Sequence, residues 1–154
     1  MKEIIEKLTK QTKTISTMES CTGGGVVNEI TNIEGSSNVI KFSAVTYSNE
    51  YKIKMGVEKD IIDKYTVYSM ETAISMAKAI TNFTNCDYGV GITGKLNRID
   101  EENPYGEDNQ VFIAIFDKEK NKFYKETIKV EEKSRKENKQ LVINKVKEIL
   151  LNIL

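Results

Sequence analysis

The chain has no histidine among its 154 residues. This absence excludes a Ser-His-Asp or Cys-His hydrolase, a zinc site with histidine ligands and any acid/base step that uses an imidazole. An acid/base catalyst in this chain must therefore be a carboxylate, a lysine, a cysteine, a tyrosine or the amino terminus.

Cysteine, unbalanced charge and long apolar runs are scarce as well. Cys21 and Cys86 are too few for a thiolate zinc site, and we expect both to be free thiols. The chain has 23 basic and 23 acidic residues, a balance that disfavours a nucleic-acid platform. Its charged opening residues predict no secretion signal, and its apolar runs are too short to span a bilayer. We therefore expect a cytoplasmic protein that binds neither nucleic acid nor a membrane.

Strand and helix patterns alternate along the chain and predict one domain over residues 1–154. The expected fold class is α/β, a three-layer α/β/α domain with a mixed, mainly parallel sheet and a C-terminal hairpin plus helix. An apolar stripe that includes Phe83 follows the predicted helix cap Ser69, and the last helix is expected to pack Leu141 inward. The predicted strands lie at 14–18, 39–47, 88–93, 111–116 and 123–130, the main helices at 2–10, 50–55, 59–64, from 69 onward and at 134–151, and a long loop at 94–109.

A glycine-rich turn at residues 19–25, Glu-Ser-Cys-Thr-Gly-Gly-Gly, is the strongest local signal. It places Ser20 at a predicted strand end, before glycines that open a helix. The free N–H groups at such a helix start can bind a phosphate, or they can hold an oxyanion beside a serine nucleophile. No Gly-Lys-Ser/Thr follows the glycines, which excludes a Walker A loop. A third interpretation is a tight turn that merely needs small residues.

Other functional side chains stand at the ends of further elements. If the first two strands are parallel neighbours, Tyr47 and Lys52 reach the same sheet edge as Ser20. With histidine absent, a lysine neutralised by burial is the natural base for a serine, although the general expectation for a residue such as Lys52 is a solvated helix lysine. Thr93 lies in a glycine-flanked strand end. Arg135 starts the last helix, where it could clamp a phosphate or be a plain surface charge.

Taken together, and in their order along the chain, these motifs resemble the CinA carboxy-terminal domain family. The stand-alone members of that family are nicotinamide-nucleotide amidohydrolases, or NMN deamidases. The resemblance covers most of the chain and implies the short form, without the amino-terminal molybdopterin-binding-like domain of full-length CinA. The matching segments are Glu19-Ser20-Cys21-Thr22-Gly23-Gly24, Gly35-Ser36-Ser37, Tyr47-Ser48-Asn49-Glu50 with Lys52, Gly56-Val57, Ser69 with Glu71, Gly91-Ile92-Thr93-Gly94 and Ser134-Arg135.

The resemblance implies hydrolysis of the carboxamide of nicotinamide mononucleotide (NMN) to nicotinate mononucleotide and ammonia. Carried over residue by residue, Ser20 is the nucleophile and Lys52 its general base. Tyr47 assists proton transfer or orients Lys52. Thr93 and Arg135 line the substrate site, with Arg135 as a phosphate or ribose contact.

The resemblance also implies a homodimer or a higher homo-oligomer. The backbone N–H groups around Thr22, Gly23 and Gly24 fit this activity, because they can supply an oxyanion hole. Amide hydrolysis of this kind needs no metal, and we expect no cofactor. The expected partner is a pyridine mononucleotide or a related small phosphate.

The chain departs from the family after residues 91–94. The family usually continues with a loop resembling Ile-Ala-Gly-Pro-Asp-Gly-Gly, whereas residues 95–106 here read Lys-Leu-Asn-Arg-Ile-Asp-Glu-Glu-Asn-Pro-Tyr-Gly. A charged and bulky wall thus replaces a small, neutral one. Arg98 or Lys95 could supply a new phosphate contact, or the loop could cover a different amide or nucleotide. A catalytically silent relative that only binds nucleotide, or a competence-associated interaction module, is the alternative.

Overall fold

Short β-branched segments form the strands of this protein, and amphipathic segments between them form its helices. The computed structural model of the chain describes residues 1–132 and 134–154. The strands are β1 (Ile15–Glu19), β2 (Ala44–Val45), β3 (Tyr88–Gly94), β4 (Gln110–Asp117) and β5 (Lys122–Lys129). The α-helices are α1 (Lys2–Lys10), α2 (Gly25–Thr31), α3 (Asn49–Lys54), α4 (Lys59–Tyr65), α5 (Met70–Thr84) and α6 (Arg135–Ile153), and a 3-10 helix covers Ser36–Asn38.

The five strands form one mixed sheet in the order β2-β1-β3-β4-β5. β2, β1 and β3 run parallel, while β4 and β5 form an antiparallel hairpin beside β3. The sheet, the hairpin and the final helix confirm the predicted fold class. Because the three parallel strands end at the same edge, the residues that follow them meet there.

Helices cover both faces of the sheet. α1, α2 and α6 bury Leu8, Ile30 and Val146 against one face, which includes Ile92 of β3. α4 and α5 cover the other face, where Gly91 of β3 leaves so little room that an added Cβ would lie 2.2 Å from the carbonyl oxygen of Ala73. No helix in the described ranges is long and apolar enough to cross a membrane.

The predicted strand over residues 39–47 is wrong in its length, because only residues 44 and 45 pair as a strand. The carbonyl of Val39 accepts a hydrogen bond from the N–H of Ile15 at 2.8 Å, and the chain then leaves the sheet. The side-chain hydroxyl of Ser43 accepts from the N–H of Thr17 at 3.1 Å, where a strand would offer a carbonyl. Backbone pairing with β1 resumes at Ala44.

Two residues expected in the core are exposed. Phe83 of α5 is 61% exposed and packs beside Phe42, with 5.2 Å between the ring centroids. Leu141 of α6 is 39% exposed, and Val142 is the residue buried at that turn. A helical stripe is wider than the surface that the sheet covers, so residues at its margins remain in solvent.

Candidate active site

A cleft of about 1290 Å³ opens at the carboxyl ends of the parallel strands. Such edges are the usual place for ligand sites in open α/β sheets. The side chains that line the cleft include Ser20, Lys52, Tyr47, Tyr68, Arg98 and Arg135. Residues that are far apart in the sequence thus share one concave surface.

Ser20 directly follows β1 and is fixed by its own backbone. Its N–H donates to the carbonyl of Ile92 in β3 at 3.0 Å, and its carbonyl accepts from the N–H of Gly23 at 3.0 Å. The side chain is buried at the floor of the cleft. Its hydroxyl oxygen lies 3.2 Å from Nζ of Lys52, within hydrogen-bond distance.

Lys52 is the buried residue of α3, and it points away from solvent although it lies on a short surface helix. Its Nζ donates to the carbonyl oxygen of Thr46 at 2.7 Å as well as contacting Ser20. No carboxylate of the described residues forms an ion pair with it. Burial lowers the pKa of Lys52 to about 8, because a desolvated ammonium is costly. A neutral amine, the form that can accept a proton from Ser20, is therefore accessible near neutral pH.

The thiol of Cys21 is the other potential nucleophile at this position. It lines the cleft and is buried. Burial raises the pKa of Cys21 to about 12, so the thiol stays protonated where Lys52 begins to lose its proton. The geometry therefore favours Ser20, which contacts Lys52, over its neighbour.

The glycine-rich turn binds an anion that belongs to the chain itself. The N–H groups of Val26 and Val27 at the start of α2 donate to the buried carboxylate of Glu19 at 3.1 and 2.9 Å. A helix start whose N–H groups are already taken in this way leaves little for a phosphate, which was one interpretation of this motif. Gly23 and Gly24 have φ angles of 62° and 87°, a region that favours glycine.

The donors proposed for an oxyanion hole differ in their availability. The N–H of Gly23 is engaged by the carbonyl of Ser20. Within residues 1–132 and 134–154, no acceptor binds the N–H groups of Cys21, Thr22 or Gly24. The hydroxyl of Thr22 donates to Glu19 at 2.6 Å, so Thr22 offers the cleft a backbone N–H rather than its side chain.

Tyr47 and Arg135 meet at the rim of the cleft. The Tyr47 hydroxyl accepts from the Arg135 guanidinium at 2.7 Å, and the Tyr47 side chain is 62% exposed. Among the described residues it forms no hydrogen bond with Lys52 or Ser20. The carbonyl of Thr46 accepts from the Lys52 ammonium and orients it, a role that the family resemblance offers for Tyr47. Tyr47 and Arg135 together present a phenol and a cation to a ligand entering the cleft.

Thr93 is fully buried below the cleft. Its hydroxyl donates to the carbonyl of Val67 at 2.8 Å, and Val67 and Tyr68 form part of the cleft wall. Thr93 thus supports the wall from behind, while Gly94 and Lys95 next to it line the cleft.

The unusual loop at residues 95–106 forms a braced wall of the cleft. The Lys95 ammonium pairs with Asp108 at 2.9 Å and lies 5.3 Å from the centre of the Tyr68 ring. The Tyr68 hydroxyl donates to Asp100, and burial raises the pKa of Tyr68 well above its usual value. Arg98 is exposed and lines the cleft, while its backbone N–H donates to the Asp108 carbonyl at 3.0 Å.

Sequence reasoning missed the roles of three residues here. Thr46 acts through its carbonyl, which no side-chain pattern reveals. Tyr68 joins the cleft because the chain before α5 folds over β3. Glu19 belongs to the glycine-rich motif, and a carboxylate shortly before a predicted helix start was the one sequence signal for its role. The described residues include no group of three or more His, Cys, Asp or Glu side chains that could hold a metal ion.

The model of the CinA C-terminal domain matches residues 1–154. The chain belongs to the CinA C-terminal domain family. It is 45% identical over 96 residues to a CinA-like protein of Kosmotoga olearia, a match that covers 61% of this chain and 23% of that protein. It is 38% identical over 121 residues to a CinA-like protein of Endomicrobium trichonymphae, covering 77% of this chain and 28% of that protein. The chain thus spans about a quarter of the length of these curated relatives.

Solved structures of the CinA superfamily share the fold. The competence/damage inducible protein CihA from Agrobacterium tumefaciens superimposes with a TM-score of 0.86 at 27% identity, covering 97% of this chain and 90% of that chain. The competence-damaged protein (CinA) superfamily protein from Escherichia coli gives a TM-score of 0.87 at 21% identity, covering 99% and 87% of the two chains.

Proposed function

We propose that this CinA-family domain is a serine/lysine amidohydrolase that converts nicotinamide mononucleotide to nicotinate mononucleotide and ammonia. The observation that carries the proposal is the 3.2 Å contact between the Ser20 hydroxyl and the buried Lys52 ammonium, in a chain without histidine. The choice of a pyridine nucleotide rests on the family resemblance. The choice of an amide hydrolysis is supported by the chemistry of the pair.

The proposed reaction begins when the Ser20 oxygen attacks the carboxamide carbon and its proton passes to neutral Lys52. The tetrahedral intermediate then loses its C–N bond, and the amine leaves as ammonia with the proton that Lys52 returns. Water attacks the resulting ester and transfers a proton to Lys52, and the Ser20 oxygen leaves and takes that proton back. The products are the carboxylic acid, which ionises, and ammonia, and the enzyme is regenerated.

The negative oxygen of the intermediate needs donors that are already in place. The N–H groups of Cys21 and Thr22 follow the nucleophile directly and are not used elsewhere among the described residues. An N–H directly after a nucleophile is a recurrent oxyanion donor, and the loss of one donor typically costs about 3 kcal/mol of transition-state stabilisation. We assign the phosphate end of the substrate to the rim, where Arg135, Tyr47 and Arg98 line the opening.

The decisive experiment is an ammonia-release assay with NMN in the presence of a metal chelator. We expect ammonia and nicotinate mononucleotide to form in equal amounts. The Ser20→Ala variant serves as the blank. Nicotinamide riboside, which lacks the phosphate, should be hydrolysed less efficiently through a higher KM, because it loses the rim contacts. A folded protein that releases ammonia from other amides but not from NMN would remove the substrate assignment and leave the serine/lysine chemistry.

A second candidate function is supported by the charged loop at residues 95–106. Its Arg98 and its braced Tyr68–Asp100 contact give the cleft a wall unlike the glycine- and proline-rich family pattern. A different nucleotide amide as substrate, or binding of a nucleotide without turnover, would follow from that change. Stabilisation of the protein by nucleotides in a thermal shift assay, with no ammonia from any amide tested, would favour the binding function.

The rate should depend on pH through Lys52. Only the neutral amine accepts the Ser20 proton, so kcat/KM should rise with pH and level off above the lowered Lys52 pKa of about 8. For a single ionisation near this pKa, the neutral fraction grows about ten-fold between pH 7 and pH 9. Initial rates at constant ionic strength test this profile. A rate that is flat or that falls over the same range would contradict the role of Lys52 as the base.

A further inference from the structure

Glu19, the last residue of β1, carries a fully buried carboxylate that the reaction proposed above does not use. Four groups donate to it, two to each oxygen. Oε1 accepts from the Thr17 hydroxyl at 3.0 Å and the Val27 N–H at 2.9 Å. Oε2 accepts from the Thr22 hydroxyl at 2.6 Å and the Val26 N–H at 3.1 Å.

These four donors compensate an ionised carboxylate rather than a neutral acid. Each oxygen accepts from one hydroxyl and from one backbone N–H, and the two N–H groups can only donate. No lysine or arginine of the described residues pairs with Glu19. A buried charge without an opposite charge is costly unless it is fully hydrogen-bonded, so the four contacts form one interdependent set.

The same contacts fix the turn that carries the nucleophile. The backbone of Glu19 is held by the residue that follows β2, because the Glu19 carbonyl accepts from the Thr46 N–H at 2.9 Å. Its side chain reaches forward to Thr22 and to the first turn of α2. Glu19 therefore fixes both ends of the Ser20–Gly24 turn: its backbone anchors the start of the turn, and its carboxylate anchors Thr22 and the first residues of α2. Within this closed turn, the N–H groups of Cys21 and Thr22 are left without an acceptor.

We propose that Glu19 is a positioning residue whose carboxylate serves as an internal anion, holding the turn so that Ser20 faces Lys52 and the Cys21 and Thr22 N–H groups are free to receive the oxyanion. This inference rests on the proposed function. It assigns the anion-binding capacity of the glycine-rich helix start to the chain's own side chain, and it makes the catalytic geometry dependent on that charge.

The first test replaces Glu19 with glutamine, which keeps the size and loses the charge. The amide nitrogen cannot accept a hydrogen bond, so the backbone N–H of either Val26 or Val27 loses its acceptor. We expect kcat to fall about 10- to 100-fold through misplacement of the nucleophile. KM should stay within about three-fold, because the rim residues that we assign to binding lie on other elements. Glu71→Gln, which removes an exposed carboxylate from the first turn of α5, is the matched control and should keep wild-type kcat.

The second test is chemical rescue of Glu19→Ala. The atoms deleted by this substitution, a methylene and a carboxylate, correspond to acetate. We expect acetate to raise kcat of Glu19→Ala, with no effect of chloride at the same ionic strength and none of butyrate, which is too long for the space. Acetate should not activate wild type or Glu19→Gln, in which the space is filled. A merely structural role would give a loss that follows the folded fraction, with no dependence on the size of the added carboxylate.

A substrate-independent measurement separates this inference from the proposed function. Phenylmethylsulfonyl fluoride transfers its sulfonyl group to the serine oxygen: the O–S bond forms, the S–F bond breaks, fluoride leaves and the Ser20 proton goes to Lys52. The rate of Ser20 labelling, followed by mass spectrometry, should fall in Glu19→Gln by about the same 10- to 100-fold factor as kcat. Labelling without NMN hydrolysis in wild type would overturn the substrate and not this inference. Unchanged labelling and unchanged kcat in folded Glu19→Gln would overturn the inference. This outcome is decisive even if Glu19→Ala does not fold.

Discussion

Removal of the Ser20 hydroxyl is expected to abolish amide hydrolysis and to leave the fold intact. In serine hydrolases, loss of the nucleophile lowers kcat by roughly 10⁴-fold or more. The structural cost should be small, because the Ser20 hydroxyl has one hydrogen-bond partner among the described residues, Nζ of Lys52. A single hydrogen bond of this kind contributes about 1 kcal/mol to stability. Steady-state ammonia release and urea unfolding of Ser20→Ala measure the two effects separately.

The matched control is Ser37→Ala, which deletes the same group from an exposed position in the 3-10 helix. We expect it to retain wild-type activity. The neighbouring thiol makes a second control necessary, since Cys21 could take over as a weak nucleophile. Any residual activity in Ser20→Ala that disappears in Ser20→Ala/Cys21→Ala would identify that route. Activity above a tenth of wild type in both variants would mean that water, not Ser20, attacks the amide.

The part of the site that depends on side-chain chemistry at strand ends could be predicted from the sequence. Ser20 was placed by a strand that runs into a glycine-rich turn. The absence of histidine made Lys52 a candidate base for this serine, beside its interpretation as a solvated lysine, and the family resemblance assigns it the role of base. The contact of 3.2 Å between them follows from parallel β1 and β2, whose ends meet at one edge. The structure thus brings together the two residues to which the family resemblance assigns the nucleophile and base roles.

The position of Tyr47 follows from the alternation of side chains along an extended segment, which the sequence prediction did not use. Side chains alternate between the two sides of an extended chain. Val45 is 52% exposed, Thr46 is 2% exposed and Tyr47 is 62% exposed, as this alternation requires. Because the Thr46 side chain is buried, the Tyr47 side chain points outward, where it meets Arg135. The alternation was readable from the sequence, but the register was not, since β2 is only two residues long.

The fold was predictable wherever a periodic apolar pattern was long. The β4–β5 hairpin and α6 form where their patterns predict them, and α6 buries Val142, Val146 and Leu150. Residues 39–43 carry strand-forming residues and yet form no strand, because Val39 and Ile40 are buried in the core as a connection between helix and sheet. Composition alone does not distinguish a buried connection from a buried strand.

Replacement of Lys52 by methionine is expected to abolish catalysis and to change how stability depends on pH. The variant keeps the length of the side chain and loses the base, so we expect a fall in kcat of roughly 10³-fold or more. Lys52→Arg should be as inactive, because a guanidinium keeps the charge and cannot be deprotonated in a protein. An active Lys52→Arg would show that the positive charge matters and that proton acceptance does not.

The stability of wild type should rise with pH through the range that Lys52 controls. Its pKa is lowered from 10.5 in the unfolded chain to about 8 in the folded protein. Between these values the unfolded chain binds more protons, so the free energy of unfolding increases with pH. Below about pH 8 the buried ammonium destabilises the fold, and above about pH 10.5 this cost has disappeared. The pKa difference corresponds to about 3 kcal/mol.

Lys52→Met lacks this contribution, and comparison with wild type isolates it from the other titrating groups. We expect the variant to lose stability relative to wild type by about 3 kcal/mol as the pH rises from 7 to 10.5. Urea unfolding at several pH values measures the difference. Lys54→Met, two residues along α3, removes an exposed lysine that pairs with Glu50 and should follow the wild-type curve.

A wild-type curve parallel to that of Lys52→Met would mean that Lys52 stays charged in the folded protein. The amine that we propose as the base for Ser20 would then be absent at neutral pH. A wild-type curve that diverges from that of Lys52→Met but not from that of Lys54→Met would instead show that burial of Lys52 destabilises the fold at neutral pH and favours the neutral form of this lysine.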